Sequence, residues 1–157
     1  MKNSPITKLA CVLTLLVASV GIVHAVKENS KEDNAKTCLS NQKQLALGFL
    51  MYAQDYDEKF PPANRWADGT TPYLKSKAVY NCPEVKEFGY AFSTAMSRKP
   101  LSKIAEPSKE RLLFDSLILK KNAYGKEKDI DKRRHAEFGF IQAFVDGHVK
   151  RITPKTK

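Results

Sequence analysis

FGFIQAFVDGHVKRIT, residues 138–153, reads as two β-strands joined at Asp146-Gly147. Asp-Gly between apolar runs marks a two-residue hairpin turn, because both central positions of that turn need positive φ. The register this predicts pairs Val145 with His148 and Phe144 with Val149. It sets Phe138, Phe140, Phe144 and Val149 on one face. Ile141, Ala143, Val145, His148 and Ile152 take the other. The Phe face is the expected cover for a helix. The opposite face is also partly apolar, so the hairpin is not expected at a bare edge.

That helix is predicted over residues 32–58. Ala35, Cys38, Leu39, Gln42, Leu45, Ala46, Phe49, Leu50, Ala53 and Tyr56 recur at helical spacing. Lys43, Gln44, Asp55 and Glu58 sit largely off the stripe, which is wide enough to lie on a sheet. Pro61-Pro62 ends the helix, since proline restricts its predecessor and lacks an N–H. Between helix and hairpin the chain reads as short pieces. Residues 61–70 form a loop with Trp66 and an Asp68-Gly69 turn. Thr71-Pro72 starts a short helix running to about Lys77. Residues 78–82 and 88–94 are extended, residues 100–107 form a loop around Leu101 and Ile104, and residues 111–119 form a strand. Residues 120–134 are a hydrophilic loop, the segment expected to be most flexible. One helix followed by short strands predicts an α+β fold, a long N-terminal helix packed on a small antiparallel sheet that ends in the hairpin.

The chain has 157 residues, 27 basic and 17 acidic, for a net charge of +10. Its length and its 42% hydrophobic content fit one globular domain. The N-terminus carries Lys2 and Lys8, then fifteen uncharged residues, 9–23, then Val23-His24-Ala25 and the polar VKENSKEDNAK. This is the pattern of an export signal cleaved after Ala25. An uncleaved membrane anchor through residues 9–25 is the other outcome, although the run is shorter than the ~20 apolar residues of an ordinary span. Cys11 is an apolar residue of that segment and not a lipid attachment site, since the apolar run follows it. Residues 26–157 make the single exported domain, periplasmic, secreted or held at the inner membrane. Its two cysteines, Cys38 and Cys82, are expected to form a disulfide in an oxidising compartment.

Several further stretches extend the pattern. They are Cys38-Leu39-Ser40-Asn41 with Gln44-Leu45; Met51 to Asp57 with Phe60-Pro61-Pro62; and Cys82-Pro83. Leu101-Ser102 with Ile104, Pro107-Ser108 and Leu112-Leu113-Phe114-Asp115-Ser116 follow. The last are Arg134-His135, Phe144 and Asp146-Gly147-His148-Val149. In this order they resemble the type II secretion and type IV pilin-like proteins of bacteria. More narrowly, they resemble the prepilin-type family whose C-terminal domain is named for a His, nine residues, then Asp-Gly. The resemblance covers most of the exported body. It implies a pilin-like fold, a non-enzymatic pseudopilin-type role, and protein partners in the cell envelope or secretion apparatus. It makes His135, Asp146 and Gly147 the motif residues. The chain departs from the family twice. It lacks the Gly-Phe-Thr-Leu-Ile-Glu processing signature, and no Glu precedes Glu28; VKENSKEDNAK is expected to interrupt the first helix. Ten residues, not nine, separate His135 from Asp146.

Other constellations yield no reaction centre. Asp146-Gly147 is accounted for as a turn, and His135 as a tie between the basic loop and the sheet. Cys38, Cys82, His135 and His148 have the composition of a zinc set, but their spacing matches no short ligand pair, so no metal is expected. Asp55, Asp57 and Glu58, with Asp68 near in sequence, are expected to be a solvated helix end and not a calcium site. Asp115 ends a strand with no nameable partner. Ser93 and Ser116 lack a nucleophile elbow, and neither a zinc-protease helix nor a phosphate loop occurs. No catalytic residue and no cofactor is therefore expected. Residues 120–157 hold eleven Lys/Arg against five Asp/Glu, interleaved with Tyr124 and Phe138. This admits an alternative function as a stand-alone secreted or periplasmic module for an anionic polymer; specific nucleic-acid binding is not expected from charge alone.

Overall fold

The computed structural model describes residues 5–85, 87–135 and 139–153, with side chains from residue 30 onward. The chain divides into two compact units, Met1–Asp33 and Asn34–Lys157. The first is helical from Pro5 onward. Residues 1–25, read as export signal or anchor, have side chains outside the described set. Among the described residues no helix is long and apolar enough to cross a membrane.

Helix α1 spans Pro5–Asp55. VKENSKEDNAK is therefore helical and does not interrupt it, which corrects the expected break. Its composition explains this: Glu, Lys and Ala are good helix formers, and neither Gly nor Pro occurs in it. The helix ends at Asp55, three residues before the expected Glu58. Asp57 and Glu58 take left-handed conformations, φ 52° and 55°, ahead of the prolines.

The second unit is a mixed sheet with the 34–55 part of α1 on one face. Its strands are β3 (Tyr90–Ser93), β4 (Arg111–Asp115), β5 (Tyr124–Gly125), β6 (Phe140–Phe144) and β7 (Val149–Ile152). The spatial order is β5-β3-β4-β6-β7. All neighbours are antiparallel except β3 and β5, which are parallel. A separate two-stranded ribbon pairs β1 (Asn81–Cys82) with β2 (Glu87–Phe88).

The terminal hairpin forms, but in another register. Ala143 faces Val149 and Phe140 faces Ile152. The Phe144 N–H donates to the His148 carbonyl, and the Gly147 N–H to the Phe144 carbonyl. Only Gly147 has positive φ, 83°; Asp146 does not. This is a three-residue loop, a tight turn followed by one left-handed glycine. The slip moves each β7 residue to the other face. Val149 joins Ala143, while His148 stacks on Phe144 at 4.2 Å. β7 is also an edge strand, contrary to expectation. Phe138, assigned above to the Phe face, lies outside the described residues. Gly147→Ala should destabilise the protein by about 1–2 kcal/mol, because a Cβ strains that backbone. The added Cβ would also lie 3.3 Å from Leu50 Cδ1. A lowered urea midpoint at unchanged slope would register the loss.

The helix lies on the Ile141, Ala143 and Val145 face, not the Phe face. Those residues share a core with Cys38, Leu45, Ala46 and Phe49 of α1 and with Tyr90, Phe92, Leu112 and Leu113. Leu112 and Leu113 both reach this core because the β4–β6 register shifts between Arg111 and Leu113. Ala91, Phe114, Ala123, Ile130 and Phe140 form a smaller core behind the sheet. The helix side already carries its own aromatics. Phe49 stacks on Trp66 at 5.4 Å and on Phe92 at 4.8 Å. Small and β-branched sheet residues fill the remaining space beside these rings.

Residues 61–70 are not an open loop. Ala63–Arg65 form a 3-10 turn, and α2 (Trp66–Thr70) follows. Trp66 is buried and donates from Nε1 to the Ala123 carbonyl at 2.7 Å. Thr71–Tyr73 make another 3-10 turn, which ends at extended Leu74, short of the expected Lys77. Lys77–Tyr80 are 3-10 and not extended. β4 stops at Asp115, and Leu117 is 61% exposed, so the expected strand to Leu119 is cut short. The 120–134 segment holds β5 and a 3-10 turn at Glu127–Asp129; it is tied into the sheet. Trp66→Ala should cost about 3–5 kcal/mol, the range for emptying a large aromatic site, read as a shift in the thermal midpoint.

Candidate functional site

One buried polar cluster lies between helix and sheet. Cys38 comes from α1, Cys82 from β1 and Asp115 from the end of β4. His135 comes from the turn after the basic segment, where its N–H donates to the Gly139 carbonyl. All four side chains are buried. The two sulfurs lie 2.8 Å apart. A ring nitrogen of His135 and both sulfurs lie within 4.8 Å of one another. His135 Nε2 is 3.1 Å from Asp115 Oδ2, but off the direction of a hydrogen bond. Both ring nitrogens of His135 thus lack a hydrogen-bond partner among the described residues.

The surroundings hold these groups in place. Asp115 Oδ1 accepts from Gln42 Nε2 at 3.0 Å, and Oδ2 accepts from the Ile141 N–H at 2.7 Å. Gln42 also donates to the Ile141 carbonyl at 3.1 Å. Arg134 is buried; its Nε meets Asp131 at 2.9 Å, and its other nitrogens donate to the Gly89 and Ser116 carbonyls. Gly89 is glycine for space, since a Cβ there would fall 2.3 Å from Cys82 Cβ. Asn41 donates to the Tyr90 hydroxyl at 3.3 Å.

The thiols are electrostatically unequal. A hydrogen bond from the Cys38 thiol stabilises the Cys82 thiolate and lowers the Cys82 pKa to about 6 against the cost of burial, helped by the Glu84 backbone and Arg134. The same hydrogen bond, reinforced by burial, pushes Cys38 up. The reduced, metal-free pair should therefore lose its first proton below the ordinary thiol range, seen as thiolate ultraviolet absorbance. Cys38→Ala removes the donor and should shift that titration upward.

The sequence-derived sites separate in space. Of the family-motif residues, His135 sits in the buried cluster. Asp146 and Gly147 form the hairpin turn, where Asp146 Oδ1 accepts from the His148 N–H at 3.0 Å and lies 2.5 Å from His148 Nδ1. Lys43 ties α1 to this turn through the Gly147 carbonyl at 2.6 Å. No hydrogen bond or ion pair joins His135 to Asp146 among the described residues. The acidic residues disperse. Asp55 accepts from the Tyr73 hydroxyl, Asp57 lies 3.7 Å from Lys59, and Asp68 binds Asn122 and Lys121. Ser116 Oγ is occupied by the Ile118 N–H. Lys121 and Lys132 of the basic segment are ion-paired with Asp68 and Glu127.

Sequence reasoning missed Asp115, Gln42, Arg134 and Gly89 as parts of one cluster. A Gln inside an apolar helical stripe and an Asp ending an apolar strand were the available signals, since each implies a buried polar partner. No family model, curated protein or solved structure matches the chain.

Proposed function

We propose that this is a non-enzymatic, exported, pilin-like envelope protein of the pseudopilin type, related to type II secretion and type IV pilus components. The observation that carries the proposal is the laying of the 34–55 part of α1 across a sheet that closes with a C-terminal hairpin. The family-like segments fall at the joints of that arrangement. Cys38 to Leu45 line the helix–sheet seam, and Asp146-Gly147 make the hairpin turn. In such a protein the exposed surfaces serve partner proteins, and the buried polar cluster locks the helix to the sheet.

The test is the intact mass of the protein recovered from native membrane and soluble fractions. A chain that retains residues 9–23 in the membrane fraction would support the pilin-like subunit. A soluble chain beginning at Val26 would overturn the anchored subunit and favour the free module for an anionic polymer.

A further inference from the structure

The spacing rule that spoke against zinc concerns short linear motifs, and the fold circumvents it. Cys38 and Cys82 are 44 positions apart, yet their sulfurs and a His135 ring nitrogen converge from α1, β1 and the turn before β6. His148, the fourth residue of the composition, pairs with Asp146 at the hairpin turn and takes no part. A second observation is independent of the cysteines. The His135 ring is buried, and among the described residues neither nitrogen has a hydrogen-bond partner. Buried imidazoles normally satisfy both nitrogens. A disulfide would consume only the sulfurs and leave the ring as it is. A cation between the three donors would give the ring a partner and neutralise the thiolates.

We propose that in the reduced protein Cys38, Cys82 and His135 bind a thiophilic divalent cation, of the Zn2+ class, with Asp115 as the positioning residue behind the imidazole. Asp115 Oδ2 stands 3.1 Å from Nε2, off hydrogen-bond direction, so a turn of the ring that brings Nε2–H onto Asp115 would free Nδ1 as the metal donor. A carboxylate behind a ligating histidine fixes the ring and raises its basicity. Zn–S bonds of about 2.3 Å in a tetrahedral site need sulfurs about 3.8 Å apart, so the thiols must open by about 1 Å. Binding expels the remaining thiol protons to solvent and leaves a dithiolate–Zn2+ unit with no net charge. Three protein donors leave one position for water. A surface cleft lined by Asn41, Val79, Asn81 and Pro83 borders Cys82, whose side chain is itself buried, so entry of the cation needs a local opening there. The site does not depend on the pilin-like role, so the fractionation result and the metal result can fail separately.

The test uses the full chain in detergent micelles, reduced and kept free of oxygen, titrated with Co2+ as the probe. The expected result is stoichiometric uptake with a thiolate-to-cobalt charge-transfer band and intense tetrahedral ligand-field bands, both abolished by Zn2+. Asp115→Asn should weaken binding about tenfold or more, in line with other residues behind ligating histidines. Cys38→Ser should abolish the charge-transfer band or sharply reduce it. His135→Ala should weaken binding at least as much as Asp115→Asn. If the variants do not fold, protection of the wild-type thiols decides. Zn2+ should shield Cys38 and Cys82 from alkylation, and a chelator should reverse this. A reduced wild-type chain that shows neither a thiolate band nor protection overturns the site, as does a Cys38→Ser variant that binds like wild type.

Discussion

Asp115→Ala is expected to lower the unfolding free energy by about 2–5 kcal/mol, because it removes the acceptor of two buried hydrogen bonds. The carboxylate is fully buried and holds three elements together. It accepts from Gln42 of α1 and from the Ile141 N–H of β6, and it stands behind His135. Truncation leaves the Ile141 N–H unpaired and Gln42 one bond short. Each unsatisfied buried donor costs about 1–3 kcal/mol. Asp115→Asn separates charge from hydrogen bonding. Its amide oxygen replaces one acceptor, but its NH2 must face either the Ile141 N–H or the Gln42 amide. Gln42 Oε1 has no partner among the described residues and can turn to meet that NH2. Doing so gives up the Gln42 bond to the Ile141 carbonyl. A loss of about 2 kcal/mol is therefore expected, intermediate between Ala and wild type. Trp66, the single tryptophan, is a buried fluorescent probe for urea unfolding of all three proteins. Equal losses for Asn and Ala would show that the negative charge, and not the acceptor geometry, is what the cluster needs.

The sequence displays the parts of this fold better than their assembly. Apolar periodicity finds the helix face, because Cys38, Leu45, Phe49 and Ala53 recur on one side whatever they pack against. All four are fully buried. Asp146-Gly147 likewise marks a hairpin, but the same dipeptide serves a two-residue and a three-residue loop. The two differ in the φ of Asp146, which the dipeptide leaves open. One residue of slip then exchanges the faces of β7. Size misleads in choosing the sheet face for the helix. Phe140 and Phe144 look like the better cover, yet the helix side is already filled by Phe49, Phe60, Trp66 and Phe92. β5 has no pattern to read. It is two residues long and joins the sheet through backbone bonds such as the Phe92 N–H to the Ala123 carbonyl. The buried cluster is hidden for a related reason. Its members come from four segments, and only chain folding shows that Gln42, Asp115 and His135 share a space with the thiols.

Oxidation of the reduced, metal-free protein is expected to join Cys38 to Cys82 and raise stability by about 4 kcal/mol. The cross-link spans 44 positions. Closing a loop of that length removes chain entropy from the unfolded state worth about 4 kcal/mol in the loop-closure account. Strain in the folded state subtracts from this. The sulfurs already lie 2.8 Å apart and must close by less than 1 Å to reach the bonded distance of about 2.05 Å. Both cysteines sit on elements fixed elsewhere: Cys38 on a helix held by Gln42, and Cys82 against Gly89 with Arg134 alongside. The bond therefore crosses the helix–sheet seam without reshaping it. Urea unfolding with and without reductant measures the gain, and intact mass shows the loss of about 2 Da that marks one bond. A gain below about 1 kcal/mol would mean that the reduced chain already keeps α1 near β1 when unfolded, because a cross-link removes only freedom that the unfolded state has. Zn2+ sets a further comparison, since disulfide and metal compete for the same thiols. At saturating Zn2+ the reduced protein should resist both oxidation and unfolding, the latter by an amount that grows with the logarithm of free metal. Stability that ignores added Zn2+ while responding to oxidant would assign the pair to cross-linking alone.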